Sequence, residues 1–163
     1  MIDNRHKILL IGGNPKGHVV PFHPSTKSGK VIRKLVQKNH LFVGYYDLWA
    51  DDKDEKDGEI LGHQQASIEL YRMRGYVIVG LGRYVCSRLY HYKIPHNYLP
   101  HPASRDRKSL KRLEDGLKYI SENGASILSE FRCRICNNYQ INSIKLGSHL
   151  HIQHKVPWDE IKI

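Results

Sequence analysis

The stretch Ile8-Leu9-Leu10-Ile11-Gly12-Gly13 decides the fold, because four consecutive apolar residues run directly into two glycines. Apolar residues without polar alternation predict a strand that is covered on both faces, as strands in parallel sheets are. Similar runs predict three further strands, at 41–46, 76–81 and 97–99. Apolar residues at helical spacing predict helices at 30–38, 63–74 and 108–122. This alternation predicts an α/β fold with a parallel four-stranded sheet flanked by helices.

Composition favours a soluble protein with a polyanionic partner. The 163 residues carry a formal net charge of +10 and allow one moderate domain with a small appendage. No apolar run approaches the roughly 20 residues that cross a bilayer, and the first residues lack a signal-peptide layout. Nucleic acid is the commonest partner of such a charge. We therefore expect a DNA-binding monomer in the cytoplasm of a bacterial or phage-infected cell, with a merely basic protein as the alternative.

An acidic cluster at 51–58 interrupts this basic chain and ends in glycine. Charged residues followed by glycine are typical of solvated segments, so we predict a mobile loop here. A divalent metal site is the less favoured alternative, because nothing in the sequence fixes the spacing of the carboxylates.

After residue 124 the alternation of apolar strands and helices gives way to a segment with a pair of cysteines and a cluster of histidines. This change predicts an α/β domain at 1–125 and a second unit at 126–163. The second unit has the spacing C-x2-C-x12-H-x4-H, which is typical of a ββα zinc finger. The predicted zinc ligands are Cys133, Cys136, His149 and His154, with His151 as a spare imidazole that could replace His149. About 30 residues cannot build a core alone, so zinc binding would supply the folding energy.

The finger has two interpretations. If it docks on DNA as other fingers of this spacing do, Asn142, Lys145 and Ser148 occupy the base-facing positions of its helix. A purely structural finger is the alternative.

Polar residues follow three of the predicted strands. Asn14 comes shortly after the first strand, Asp47 closes the second, and His101 lies between two prolines after the fourth. Ligands of parallel sheets gather beyond the carboxyl ends of the strands. We therefore expect these three side chains to share one crevice.

The motifs at these strand ends resemble those of the uracil-DNA glycosylase superfamily. Gly12-Gly13-Asn14-Pro15 is similar to that family's first motif, and His101-Pro102-Ala103-Ser104 to its second. The segment 77–83 is similar to the family's strand-to-helix turn. The resemblance covers roughly residues 7 to 122 and does not include the finger.

The resemblance implies a DNA glycosylase, which flips a base out of DNA and hydrolyses its N-glycosidic bond. It implies that Asn14 positions the attacking water and that His101, as a neutral imidazole, donates a hydrogen bond to the departing base. The implied base-binding residues are Gly12, Pro15, Phe22 and Asp47. The implied DNA contacts are Ser25, Ser104, Arg105 and Arg107, with Arg105 where the family often places an apolar wedge.

Two departures from the family pattern bear on the substrate. Lys16 separates Pro15 from the following glycine, and Asp47 replaces the commoner amide. An ionised Asp47 only accepts hydrogen bonds, which favours a base with an exocyclic amine over uracil unless the carboxyl is protonated. The alternative function is a catalytically weak or inactive protein that binds DNA or recognises a damaged base. A P-loop at 28–30 is disfavoured because Val31 stands where Ser or Thr should hold magnesium.

Overall fold

The structure, a computed structural model, describes residues 5–103, 106–124 and 143–160. Its four strands form one fully parallel sheet in the order β2-β1-β3-β4, so the prediction of an α/β fold with a parallel four-stranded sheet and flanking helices is confirmed. The strands are β1 (Ile8–Gly12), β2 (Val43–Asp47), β3 (Val77–Leu81) and β4 (Asn97–Leu99).

Six helices accompany the sheet in the described part of the chain. They are α1 (Lys27–Lys38), α2 (Asp52–Asp57), α3 (Gly62–Met73), α4 (Arg83–His91), α5 (Arg107–Asn123) and α6 (Ser143–His154). Three of them, α1, α3 and α5, lie where helices were predicted, whereas α4 was not predicted. None of these helices is both long and apolar enough to cross a membrane.

Strand β1 lies at the centre of the sheet, and all five of its residues are buried. Alternate residues enter two apolar clusters, with Ile8 and Leu10 in one and Leu9 and Ile11 in the other. Both faces of the strand are therefore covered, which explains why its sequence is continuously apolar.

The order of the strands creates a switch point beside β1. The chain passes from β1 to β2 on one side, and then returns to place β3 and β4 on the other side. In open parallel sheets, ligands bind outside the carboxyl ends of the strands at such a point. Gly12 pairs with Asp47 across β1 and β2, so the carboxyl ends of these two strands are level.

The prediction of a mobile loop at 51–58 is wrong, because residues Asp52–Asp57 form the short helix α2. Asp51 caps its start by accepting a hydrogen bond from the Asp54 amide at 2.9 Å. Gly58 ends the helix in the left-handed conformation with φ of 72°. Asp52, Asp54 and Glu55 lie in the first turn, where the helix dipole favours negative charge.

Helix α6 carries the predicted finger residues Ser148, His149 and His154. Several other predicted finger residues lie outside the described residues, namely Cys133, Cys136 and Asn142, and the side chain of Lys145 is likewise not described. The predicted zinc finger and the boundary at 125/126 stay predictions.

Candidate functional site

A cavity of about 250 Å³ opens at the carboxyl ends of β1 and β2 and the loop after β4. The structure brings together here four residues from separate parts of the sequence, Asn14, Phe22, Asp47 and His101. The lining also includes Gly13, Pro15, Lys16, His23, Thr26, Ser28, Glu55 and Ala103. Three strand ends thus converge on one space, at the edge of the sheet that the switch point marks.

Phe22 forms an apolar wall of this cavity. The residue is only 7% exposed and has a positive φ of 51°, which is uncommon for a bulky side chain. Its carbonyl oxygen accepts a hydrogen bond from Arg33 Nε at 2.6 Å, and this bond helps to hold the loop. Gly12 makes room for the ring, because a Cβ at position 12 would lie 2.5 Å from Phe22 Cζ. The absence of a side chain at Gly12 therefore lets the Phe22 ring take its place in the cavity wall.

The carboxyl group of Asp47 has an oxygen that receives no hydrogen bond from the described residues. Its Oδ2 atom is buried, and no donor among the described residues bonds to it. Burial, with a smaller contribution from the negative charge of Glu55, raises the pKa of Asp47 from 3.8 to about 6. A buried carboxyl oxygen that lacks a donor disfavours the ionised form, which agrees with the raised pKa of Asp47.

Replacing Asp47 with asparagine should stabilise the protein at neutral pH. The folded-state pKa lies above the unfolded value, so the penalty for ionising Asp47 is absent below pH 3.8 and fully present above pH 6. A difference of about two pKa units corresponds to at most about 3 kcal/mol. We expect D47N to gain up to this free energy of unfolding at pH 7.5 and to lose the gain near pH 4, as measured by urea denaturation.

The control for this prediction is Asp115→Asn, at an exposed position on α5. It should change the free energy of unfolding by less than about 0.5 kcal/mol at either pH. A D47N gain that is equal at both pH values would show that burial of the ionised carboxylate is not its cause.

His101 is held as a neutral imidazole with a defined tautomer. The Ala103 amide donates to Nδ1 at 3.0 Å, so the ring proton lies on Nε2. Burial of the ring lowers the pKa of His101 below 6.5, although the residue keeps an exposed surface. Gly82, with φ of 90°, lets the ring lie close to the backbone, since a Cβ there would be 3.2 Å from His101 Cβ. The cavity therefore contains a neutral N–H donor.

Asn14 joins the cavity to helix α2. Its Nδ2 donates to Asp52 Oδ1 at 3.0 Å and to Glu55 Oε2 at 2.5 Å, while its Oδ1 accepts from the Lys16 amide at 2.8 Å. Lys16 Nζ lies 2.8 Å from Asp52 Oδ1 and 3.6 Å from Glu55 Oε2. The hydrogen bond to Lys16 is the main cause of a lowered Asp52 pKa. Both amide protons of Asn14 are thus used within the protein, and its oxygen keeps one lone pair.

Sequence reasoning missed Glu55 and Asp52, because the acidic cluster at 51–58 was interpreted as a solvated, mobile loop. The helix caps were the available signal. An Asp before an acidic first turn and a Gly after the last residue mark the two ends of a helix, here Asp51 and Gly58.

The rim of the cavity carries a histidine pair. The rings of His18 and His23 are stacked with centroids 4.0 Å apart. Ser25 Oγ lies 2.8 Å from His23 Nδ1 and 3.1 Å from His18 Nε2. Ser25 is exposed, as a contact to DNA would require, and Arg107 is exposed at the start of α5. The other two predicted contacts, Ser104 and Arg105, lie outside the described residues.

Two predicted zinc ligands meet on helix α6. The Nε2 atoms of His149 and His154 are 3.2 Å apart. Two nitrogens bound tetrahedrally at roughly 2.0–2.1 Å from one zinc ion would be about 3.3 Å apart, so the pair fits one edge of such a site. His151 instead lies against Trp158, with ring centroids 4.2 Å apart. The described geometry therefore pairs His154 with His149 and not with His151.

The cavity combines an aromatic wall, a neutral imidazole donor, a carboxyl group whose pKa is raised to about 6, and an ion-paired carboxylate. Such a set can hold a flat polar ring at its edge and stabilise charge that develops on it. No protein-family model matches the chain, and no curated protein or solved structure matches it.

Proposed function

We propose that the cavity binds a nucleobase flipped out of DNA and that the protein hydrolyses the N-glycosidic bond of that nucleotide. The convergence of Asn14, Phe22, Asp47 and His101 on one cavity of about 250 Å³ carries the proposal. This volume lies just below the roughly 300 Å³ at which cavities for drug-sized ligands begin, which suits a single base. The motif resemblance supports the same function and a uracil-DNA glycosylase-like fold for residues 1–125.

Each of the four residues that meet in the cavity has a role in the proposed reaction. Phe22 offers a ring against which a flipped base can lie, and Asp47, which also lines the cavity, offers its carboxyl group to the polar edge of the base. Asn14 positions the attacking water through the remaining lone pair of Oδ1. His101 donates its Nε2 proton in a hydrogen bond to the base as negative charge develops on it.

The reaction breaks one bond and forms one. The water oxygen bonds to C1′ of the sugar, and the electron pair of the C1′–N bond leaves with the base. The water loses one proton, and the departing base finally gains one, so the products are an abasic sugar and the free base. A neutral imidazole suits this step, because it donates to an anion without itself needing a counter-charge in the resting pocket.

Asp47 favours a particular kind of base. With a pKa of about 6, its carboxyl is mostly ionised at pH 7 and then only accepts hydrogen bonds. A base with an exocyclic amine supplies the matching donor. Uracil would bind better below pH 6 than at pH 7, because the protonated carboxyl can donate a hydrogen bond to a carbonyl oxygen of the base.

Contacts to the DNA backbone are proposed for the basic surface and the tail. The net charge of +10 suits a polyanion, and the amino end of α1 reaches the cavity through Thr26 and Ser28. We propose that Cys133, Cys136, His149 and His154 hold zinc and that the finger at 126–163 adds affinity for DNA. We place this activity in the cytoplasm of a bacterial or phage-infected cell, in a monomeric protein.

The test is a panel of oligonucleotides, single- and double-stranded, that carry uracil, hypoxanthine, xanthine, 5-hydroxymethyluracil or only ordinary bases. After incubation, alkali cleaves any abasic site. We expect strand breaks at one or more of the modified bases, and association with DNA that weakens steeply as salt rises.

The alternative function gives a different result in the same panel. A protein that only binds DNA or recognises a damaged base would retain the oligonucleotides without producing breaks. Breaks that persist unchanged in both H101A and N14A would contradict the assignment of the reaction to this cavity.

A further inference from the structure

We infer that Glu55 is the general base of the proposed hydrolysis and takes the proton of the attacking water on Oε1. Asn14 and Lys16 then act on Glu55 as positioning residues. The inference rests on the proposed function and adds to it a catalytic residue from helix α2.

The two carboxylate oxygens of Glu55 have different surroundings. Oε2 accepts from Asn14 Nδ2 at 2.5 Å and lies 3.6 Å from Lys16 Nζ. Oε1 accepts no hydrogen bond from any residue in the described part of the chain. One oxygen is therefore anchored, and the other is left with its lone pairs for a water molecule in the cavity that Glu55 lines.

Glu55 Oε1 lies close to the backbone of Gly13, directly after β1. A Cβ at position 13 would meet Oε1, so glycine lets the carboxylate come as close to the backbone as it does here. The carboxylate consequently sits next to Asn14, the residue that the proposed function assigns to the water.

Helix α2 is fixed in a way that suits a catalytic side chain. The Tyr84 hydroxyl donates to the backbone carbonyl of Glu55 at 2.6 Å, and Arg88 Nε donates to that of Gly58 at 2.8 Å. Both donors come from α4, which follows β3 directly. A six-residue helix without buried residues thus receives its position from hydrogen bonds rather than from apolar packing.

The chemistry requires such a group. The amide of Asn14 can orient water but has no basic site that takes a proton near neutral pH, whereas a carboxylate has one. In the proposed step, Oε1 removes a proton from water as the oxygen forms its bond to C1′, and the C1′–N electron pair leaves with the base. The proton then passes from Glu55 to the departed base or to solvent, which restores the carboxylate.

The experiment measures single-turnover base release with the oligonucleotide that wild-type protein cleaves best in the panel. We expect E55Q to slow release roughly 10²–10⁴-fold, the range of a general base, while the Kd for DNA changes less than about threefold. Sodium formate should restore part of the rate to E55A, because a small carboxylate can occupy the vacated space. Glu59→Gln, an exposed position just beyond α2, is the matched control and should keep the wild-type rate.

Glu55→Asp keeps the test decisive if E55Q or E55A fails to fold. It retains a carboxylate that is one methylene shorter, and we expect its rate to exceed that of whichever neutral variant folds, E55Q or E55A. A rate for a folded neutral variant within threefold of wild type, or a rate for E55D no higher than that of this neutral variant, overturns this inference and leaves the proposed function standing. Absence of base release by wild-type protein from every oligonucleotide overturns both.

Discussion

H101A should release base roughly 10²–10³ times more slowly than wild-type protein, the usual loss when one donor to a developing anion is removed. The reason is the fixed tautomer, in which the Ala103 amide occupies Nδ1 and leaves Nε2 as the donor. Burial keeps the pKa of His101 below 6.5, so the imidazole stays neutral at pH 7. Single-turnover rates at saturating protein measure the loss separately from DNA binding.

Two variants give this prediction its controls. His63→Ala lies at an exposed position on α3, outside the cavity lining, and should keep the wild-type rate. His101→Gln retains a neutral N–H donor and should be faster than H101A. A rate for H101A within threefold of wild type would contradict the placement of the departing base against this ring.

Removal of zinc should unfold the tail while the α/β domain persists. Zinc binding to a finger of this kind contributes roughly 10–16 kcal/mol, which exceeds what such a short segment gains from its own core. We expect about one zinc per chain by elemental analysis and its loss in C133S. Chelation should lower the helical signal in circular dichroism and leave the main unfolding transition in place.

Substitutions within the histidine cluster sharpen the zinc prediction. H149N should lose the metal, and His151→Asn should keep it, because His154 Nε2 faces His149 at 3.2 Å. Cys86→Ala should also keep the zinc, since that thiol is buried and donates to the Gly80 carbonyl. Zinc well below one atom per chain in the wild-type protein, or its loss in H151N only, would contradict the ligand set.

The strands could be predicted because apolar runs reflect burial directly. The prediction for β4 agrees at both ends, whereas the prediction for β2 begins two residues early, at Leu41. Leu41 does pack against the core, but it precedes the paired residues of the strand. Apolarity shows which residues are buried, and hydrogen bonding between strands decides where a strand begins.

The cavity could be predicted only in part. Asn14, Asp47 and His101 each follow a strand, and parallel strands bring such ends together. Glu55 could not be found in this way, because α2 contains no apolar residue and is held by the side chains of Tyr84 and Arg88 from another helix. Contacts of this kind depend on the tertiary arrangement and leave no periodic pattern in the sequence.

The central claim is that this cavity separates a base from its sugar, and chromatography with mass detection of the free base tests it most directly. Wild-type protein should release one base species in an amount equal to the abasic sites formed, and E55Q and H101A should release far less in the same time. Tight, salt-sensitive binding of every oligonucleotide without any free base would contradict the claim and show a DNA-binding protein instead.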